Sequence, residues 1–196
     1  GRTLSVSNIS VSAGPAATVT VDPISIQTAG NSFNATVRVF DAVGNPTSVG
    51  CGAGQTPTGF NLSGATASAG GHGGTATNPV QPQTTTLVST GVYTASGITL
   101  YRKGPNNLSF AACGAASAAS RSVTVNEAAL NAVTLHSADD STLNHTAQVR
   151  CEHSGTGTSV TCTPMYAFFW DTYGNMVGGS SDSCDNWSWN NRTLAG

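Results

Sequence analysis

The chain carries the same pattern twice, and this limits its fold more than any other feature. Ile9-Ser-Val-Ser-Ala-Gly-Pro-Ala-Ala-Thr-Val-Thr-Val21 can be laid over Val123-Thr-Val-Asn-Glu-Ala-Ala-Leu-Asn-Ala-Val-Thr-Leu135, at an offset of 114. Val39-Phe-Asp-Ala-Val-Gly-Asn45 lies over Phe169-Trp-Asp-Thr-Tyr-Gly-Asn175 at an offset of 130. Asn61-Leu-Ser-Gly64 lies over Thr193-Leu-Ala-Gly196 at 132. The offset grows by 16 between the first two matches, so the second copy carries an insertion. The segment holding Cys151 and Cys162 is the place for it.

This spacing divides the chain. Residues 13–126 read as one complete module. Residues 1–12 read as the terminal strand of a preceding module, or as a donor strand. Residues 127–196 read as the first part of a second module with a Cys-bearing hairpin insertion. Counterparts of Tyr93 to Val125 are missing from it. The piece reads as a window on a longer tandem array, or as a chain whose missing strands come from another subunit by β-strand addition.

The local pattern is that of strands. Val19, Val21, Ile24 and Ile26 alternate with polar residues, as do Phe33, Ala35, Val37 and Val39. The same holds for Val123 with Val125 and for Val133 with Leu135. Period-2 alternation bounded by Gly, Pro and Asn predicts half-buried strands. Ala13-Gly14-Pro15, Gly44-Asn45-Pro46, Lys103-Gly104-Pro105 and Gly174-Asn175 are turn signals. Ala111 to Ser120 is Ala-rich, but it lacks an apolar stripe and contains Gly114, which favours a strand end plus loop. Residues 64–83, with Gly70-Gly71-His72-Gly73-Gly74, read as a long loop with no core of its own. The fold class expected is all-β, as packed antiparallel sandwiches of about seven strands per module.

Composition removes several functions. Charged residues make up 8% of the chain, with Lys+Arg 7. Seven scattered cations cannot line a phosphate backbone, which argues against nucleic acid. No apolar run approaches the roughly 18 residues of a membrane span. No GxSxG, phosphate-cradling loop or placeable carboxylate pair appears, so no enzyme is expected.

At this point the residues resemble a known family. Ser12-Ala-Gly-Pro-Ala-Ala-Thr-Val-Thr-Val21, Thr28-Ala-Gly-Asn-Ser-Phe33 and Val37-Arg-Val-Phe-Asp-Ala-Val-Gly-Asn-Pro46 resemble bacterial immunoglobulin-like repeats of invasin/intimin-type surface proteins. Gly91-Val-Tyr93, Ile98-Thr-Leu100, the Lys103-Gly104 turn and Leu108-Ser-Phe110 resemble the later strands of that repeat. The resemblance spans residues 9–126 and, in part, 127–177. It implies tandem immunoglobulin-like β-sandwiches used as spacer, stalk or adhesive modules, with no catalytic residues to carry over. The long Gly-rich loop and the aromatic, cysteine-bearing second copy depart from it.

The candidate sites each have a plain alternative. Asp41 with Asn45 and Asp171 with Asn175 fit a turn in which the carboxylate caps backbone N–H groups. A calcium ion between modules is the rival, with Asp139, Asp140, Asp182 and Asp185 as further surface acids; calcium needs six to eight oxygens. Cys151-Glu-His153 with Cys162 matches no usual zinc spacing, and a disulfide closing the inserted hairpin fits better. Cys51 and Cys113 would then pair within the complete module. Cys184 sits near the second copy's equivalent of Cys51, leaving it unpaired or inter-chain. Such cysteine usage in a Ser/Thr/Asn-rich chain suits an oxidising, extracellular location, here a bacterial cell surface. Trp170, Trp187, Trp189, Tyr166 and Tyr173 could form a platform for a glycan or protein, or fill the second copy's core. Asn8, Asn34, Asn61, Asn107, Asn144, Asn186 and Asn191 lie in N-x-S/T sequons, which chance supplies readily in such a chain.

The favoured function is a disulfide-stabilised structural or adhesive segment of an extracellular bacterial fibre, stalk or adhesin. Its partners would be neighbouring modules or subunits of the same protein. The alternatives are a glycan- or protein-binding module using the Trp-rich copy, and an accessory domain of a secreted enzyme. No cofactor is expected apart from the calcium alternative.

Overall fold

A computed structural model of the chain describes residues 10–49, 60–71, 73–82, 85–112, 118–136, 151–153, 160–162, 166–177 and 182–183. Every regular element among them is a strand. The chain divides into two compact units. The first comprises residues 1–67 and 78–126; the second comprises residues 68–77 and 127–196.

The first unit is a β-sandwich of two four-stranded sheets. One holds β1 (Thr18–Val21), β3 (Ser32–Phe40), β6 (Val92–Thr99) and β5 (Thr86–Ser89), in that order. The other holds β2 (Gln27–Thr28), β8 (Ala119–Asn126), β7 (Gly104–Ala112) and β4 (Phe60–Ser63). All pairs are antiparallel except β2 with β8.

Alternation explains the core. Val19, Val21, Val37, Val39 and Tyr93 are buried in one sheet; Leu62, Leu108, Phe110, Val123 and Val125 are buried in the other. Each fully buried side chain of this size contributes about 1.5–3 kcal/mol. Phe60 meets Tyr93 edge-on, with ring centroids 5.0 Å apart, and so ties the two sheets together. The Tyr93 hydroxyl also accepts the Val49 amide at 2.8 Å.

The alternation does not continue as one strand to Ile24 and Ile26. β1 ends at Val21, and Ile26 is 65% exposed. Pro23 has no N–H to give to a ladder, and it ends the pairing with β3. The chain then passes to the other sheet, where Gln27 pairs with Val125 in parallel.

The second unit contains β9 (Leu130–His136), β12 (Tyr166–Asp171) and β13 (Asp182–Ser183) in the order β13-β12-β9. A separate antiparallel pair is formed by β10 (Cys151–His153) and β11 (Val160–Cys162). Register repeats the first unit's. Val19 faces Val39 in β1–β3, and Val133 faces Phe169 in β9–β12, at offsets of 114 and 130. Thr20 with Arg38 and Thr134 with Phe168 correspond in the same way. The Phe40–Pro46 bridge recurs as Trp170–Met176.

Burial does not follow that correspondence. Phe168 and Trp170 are buried, although they match the half-buried Arg38 and Phe40. Val133 is 46% exposed, although it matches buried Val19. The two faces of this strand pair therefore carry different apolar loads in the two units.

Candidate functional site

The Asp-x-x-Gly-Asn turn occurs twice among the described residues, each time with its carboxylate fully engaged. An aspartate has a short acceptor side chain that reaches backbone N–H groups two and four residues on. Asp41 Oδ1 accepts from the Val43 amide at 3.0 Å and the Asn45 amide at 2.8 Å. Asp41 Oδ2 accepts from Asn45 Nδ2 at 3.1 Å and from the Gly14 amide at 2.9 Å. Gly44 has a φ of 92°, a conformation that costs other residues strain.

The second turn repeats this bond for bond. Asp171 Oδ1 accepts from the amides of Tyr173 at 2.8 Å and Asn175 at 2.9 Å. Asp171 Oδ2 accepts from Asn175 Nδ2 and from the Ala128 amide, each at 2.8 Å. Main-chain bonds match as well: Asp41 N to Asn45 O and Asp171 N to Asn175 O are both 2.9 Å. Thr47 N to Val39 O at 3.1 Å corresponds to Val177 N to Phe169 O at 2.8 Å.

These donors set the electrostatics. The Gly14 and Asn45 N–H groups hold the Asp41 carboxyl at about 2, below its ordinary 3.8. Each carboxylate faces four N–H donors, which is what locking a turn requires. A calcium ion would have to displace those donors and bring oxygens of its own. Among the described residues no three His, Cys, Asp or Glu side chains gather as a metal site.

The turn's fourth donor lies far away in sequence. Gly14 and Ala128 each precede the first strand of their copy, so the carboxylate fastens the strand's lead-in to the turn. Their separation of 114 is the offset of the first sequence match, a signal that could have identified both amides.

The Gly-rich stretch has a definite place, in the second unit. The Gly70 amide donates to Tyr173 O at 3.2 Å, and the Thr75 amide to Thr172 O at 2.9 Å. Asn131 Nδ2 donates to Gly73 O at 3.3 Å. Gly71 and Gly74 close the loop on each other, at 3.1 and 2.7 Å. A Cβ on Gly74 would lie 2.2 Å from the Gly174 nitrogen, and one on Gly174 would lie 2.4 Å from Gly70 O. Backbone therefore packs directly on backbone.

The other candidate residues lie partly within the described structure. Trp170 is 5% exposed, and its indole N–H donates to Thr134 Oγ1 at 2.8 Å. Its ring lies 6.3 Å from that of Phe168, so it is built into the sheet. Tyr173 is half-buried beside the loop, and Tyr166 pairs in backbone register with His136 and Ser183. Cys151 stands opposite Cys162, and His153 opposite Val160, in the β10–β11 register. Asp182 stands opposite Ala167. Cys51, Cys113, Cys184, Trp187, Trp189, Asp139, Asp140 and Asp185 lie outside the described residues, as do Asn8, Asn144, Asn186 and Asn191. Asn34, Asn61 and Asn107 are exposed on the first unit. Sequence reasoning also missed the bidentate Arg38–Asp22 pair, with both bonds at 2.8 Å. Its exposure makes it a modest contributor.

Among the described residues no helix is long and apolar enough to cross a membrane. No family model matches the chain, and no curated protein matches it. A solved structure, that of surface layer protein SbsC, domains 4–9, is similar over 87% of this chain at 14% identity, with a TM-score of 0.33. The chain spans 22% of that protein's chain.

Proposed function

We propose that the chain is a structural segment of an extracellular, repetitive bacterial surface protein, built from tandem immunoglobulin-like sandwiches that serve as spacer, stalk or adhesive modules. The observation that carries this reading is the recurrence of strand register and carboxylate bonding at offsets of 114 and 130. Two copies of one bonding scheme are the mark of a repeated module rather than of a single enzyme cleft.

The strand order supports the finer assignment. The order β1-β3-β6-β5 over β2-β8-β7-β4 corresponds to the A-B-E-D and G-F-C arrangement of constant-type immunoglobulin sheets, with the first strand divided between the sheets. On this reading the module performs no chemistry. It transmits load through antiparallel ladders, and its partners are neighbouring modules or subunits of the same protein. Disulfides between Cys51 and Cys113 and between Cys151 and Cys162 limit how far the chain unravels, while Cys184 is unpaired or bridges chains.

Force-extension measurement of the whole chain tests this. The first unit is expected to rupture as one event under oxidising conditions. A Cys51–Cys113 bridge hides the 61 residues between its ends, so reduction should lengthen that event by roughly 200–220 Å. Gradual extension without a discrete rupture would overturn the mechanical reading.

A further inference from the structure

The two turns are alike in bonding but differ in what covers them. In the second unit the Asp171–Asn175 turn is covered by the Gly70–Thr75 loop, through the carbonyls of Thr172 and Tyr173. In the first unit the equivalent carbonyls are those of Ala42 and Val43. Among the described residues no donor is directed at either of them. Ala42 and Gly44 are exposed, and Val43 is 83% exposed. A Cβ built on Gly44 would meet nothing within 4 Å, whereas one on Gly174 would strike the loop.

We propose that the Asp41–Asn45 turn is the seat for a glycine-rich loop of the 68–77 type, carried by a preceding repeat of the same array. The proposal rests on the array reading above and names the partner of one of its surfaces. Three observations select the occupant. The seat offers backbone carbonyls rather than charge, and the loop offers backbone amides from Gly70 and Thr75. The seat carries a glycine where the second unit requires one for backbone-on-backbone approach. The carboxylate already holds the turn in the shape that receives the loop in the second unit. One contact is not repeated: Asn131, which donates to Gly73 O, has Ala17 as its counterpart. The seat on the first unit therefore relies on the two main-chain bonds and is the weaker of the two.

The full chain can be tested by adding a second copy of residues 67–78 to its N-terminus through a flexible Gly/Ser linker. Gly14 is bonded to Asp41, so the chain joins the first unit beside the seat, and a flexible linker keeps the added loop at high effective concentration. Amide shifts and exchange protection are expected at Ala42, Val43, Gly44 and Asn45. A Gly74→Val change within the added copy should reduce the docked population at least about tenfold, because overpacking against backbone cannot relax. Unchanged amides at 42–45, equal shifts from the Gly74→Val copy, or shifts confined to Thr172–Gly174 would each overturn the proposal. Those outcomes leave the force-extension result untouched, so the loop seat and the array reading are decided separately.

Discussion

The amide nitrogen of Ala128 lies 2.8 Å from Oδ2 of Asp171, 43 residues further along the chain. In the first unit the same bond joins Gly14 to Asp41 across 27 residues, at 2.9 Å. Sixteen extra residues enter between donor and acceptor without altering the bond. The carboxylate is thus a fixed point around which the copies vary.

Replacing that fixed point should loosen the second unit's strand entry. Asp171 is fully buried, and Asp171→Ala leaves the Ala128, Tyr173 and Asn175 amides without their acceptor. The expected loss is on the order of 2 kcal/mol, since the buried Asn175 amide loses its partner with no solvent to replace it, while the half-buried Ala128 and Tyr173 amides are only partly rehydrated. Hydrogen exchange should accelerate at those three amides while Val37 and Val123 stay protected. Retained protection at all three would refute the anchoring role.

Acid should act on the first unit through Asp41. Its carboxyl is lowered to about 2 in the folded state, against an ordinary 3.8. A lowered folded value means the native state holds the proton less tightly than the unfolded chain does. The associated stability is present above about pH 4 and is lost as pH falls through about 2. Asp22, lowered by its hydrogen bonds to Arg38, adds a contribution in the same direction. In an Asp22→Asn background, urea midpoints measured from pH 5 to pH 2 should fall, and Asp41→Asn should flatten that slope. An equal slope in both chains would remove Asp41 as the cause.

The two turn glycines should respond differently to an added methyl group. Gly44→Ala suffers only the positive φ, with an expected cost of about 1–2 kcal/mol. Gly174→Ala has the same backbone demand, and its Cβ would also lie 2.4 Å from Gly70 O. An additional 1–3 kcal/mol or so is expected from overpacking. Thermal unfolding of the two variants gives the comparison; equal losses would mean that the loop moves aside freely.

The turn was legible in the sequence because it depends on residue type. Carboxylate, glycine and asparagine at fixed spacing leave a pattern, and the 16-residue growth in offset located the insertion between Leu135 and Phe169. The loop was legible as a loop, but its seat on the Asp171–Asn175 turn was not. Gly70 to Thr75 bonds through its main chain, which is the same for every residue, so its spacing carries no apolar period. Ile24 and Ile26 misled because alternation alone does not register the missing amide of Pro23. Trp170 read as core in preference to platform, but both stayed open, since period 2 assigns a residue to a face and does not say which face is covered.

Core truncations should separate the units. Phe110 and Ile98 are fully buried in the first unit, and Phe110→Ala should cost about 3–5 kcal/mol. Val133 is 46% exposed, and Val133→Ala should cost less than about 1 kcal/mol. Denaturation followed by exchange at Val19 and Val123 should register the first change and ignore the second. A comparable loss from Val133→Ala would mean that the exposed strand face is covered in solution.

The backbone register of β10 and β11 leads to a covalent prediction. Cys151 stands directly opposite Cys162, and facing residues of an antiparallel pair have Cα separations within the range a disulfide spans. Non-reducing peptide mapping should recover a Cys151–Cys162 bridge. By loop-closure entropy such a bridge contributes roughly 2–3 kcal/mol, which Cys151→Ser with Cys162→Ser should remove. A map joining either cysteine to Cys184 instead would overturn this pairing.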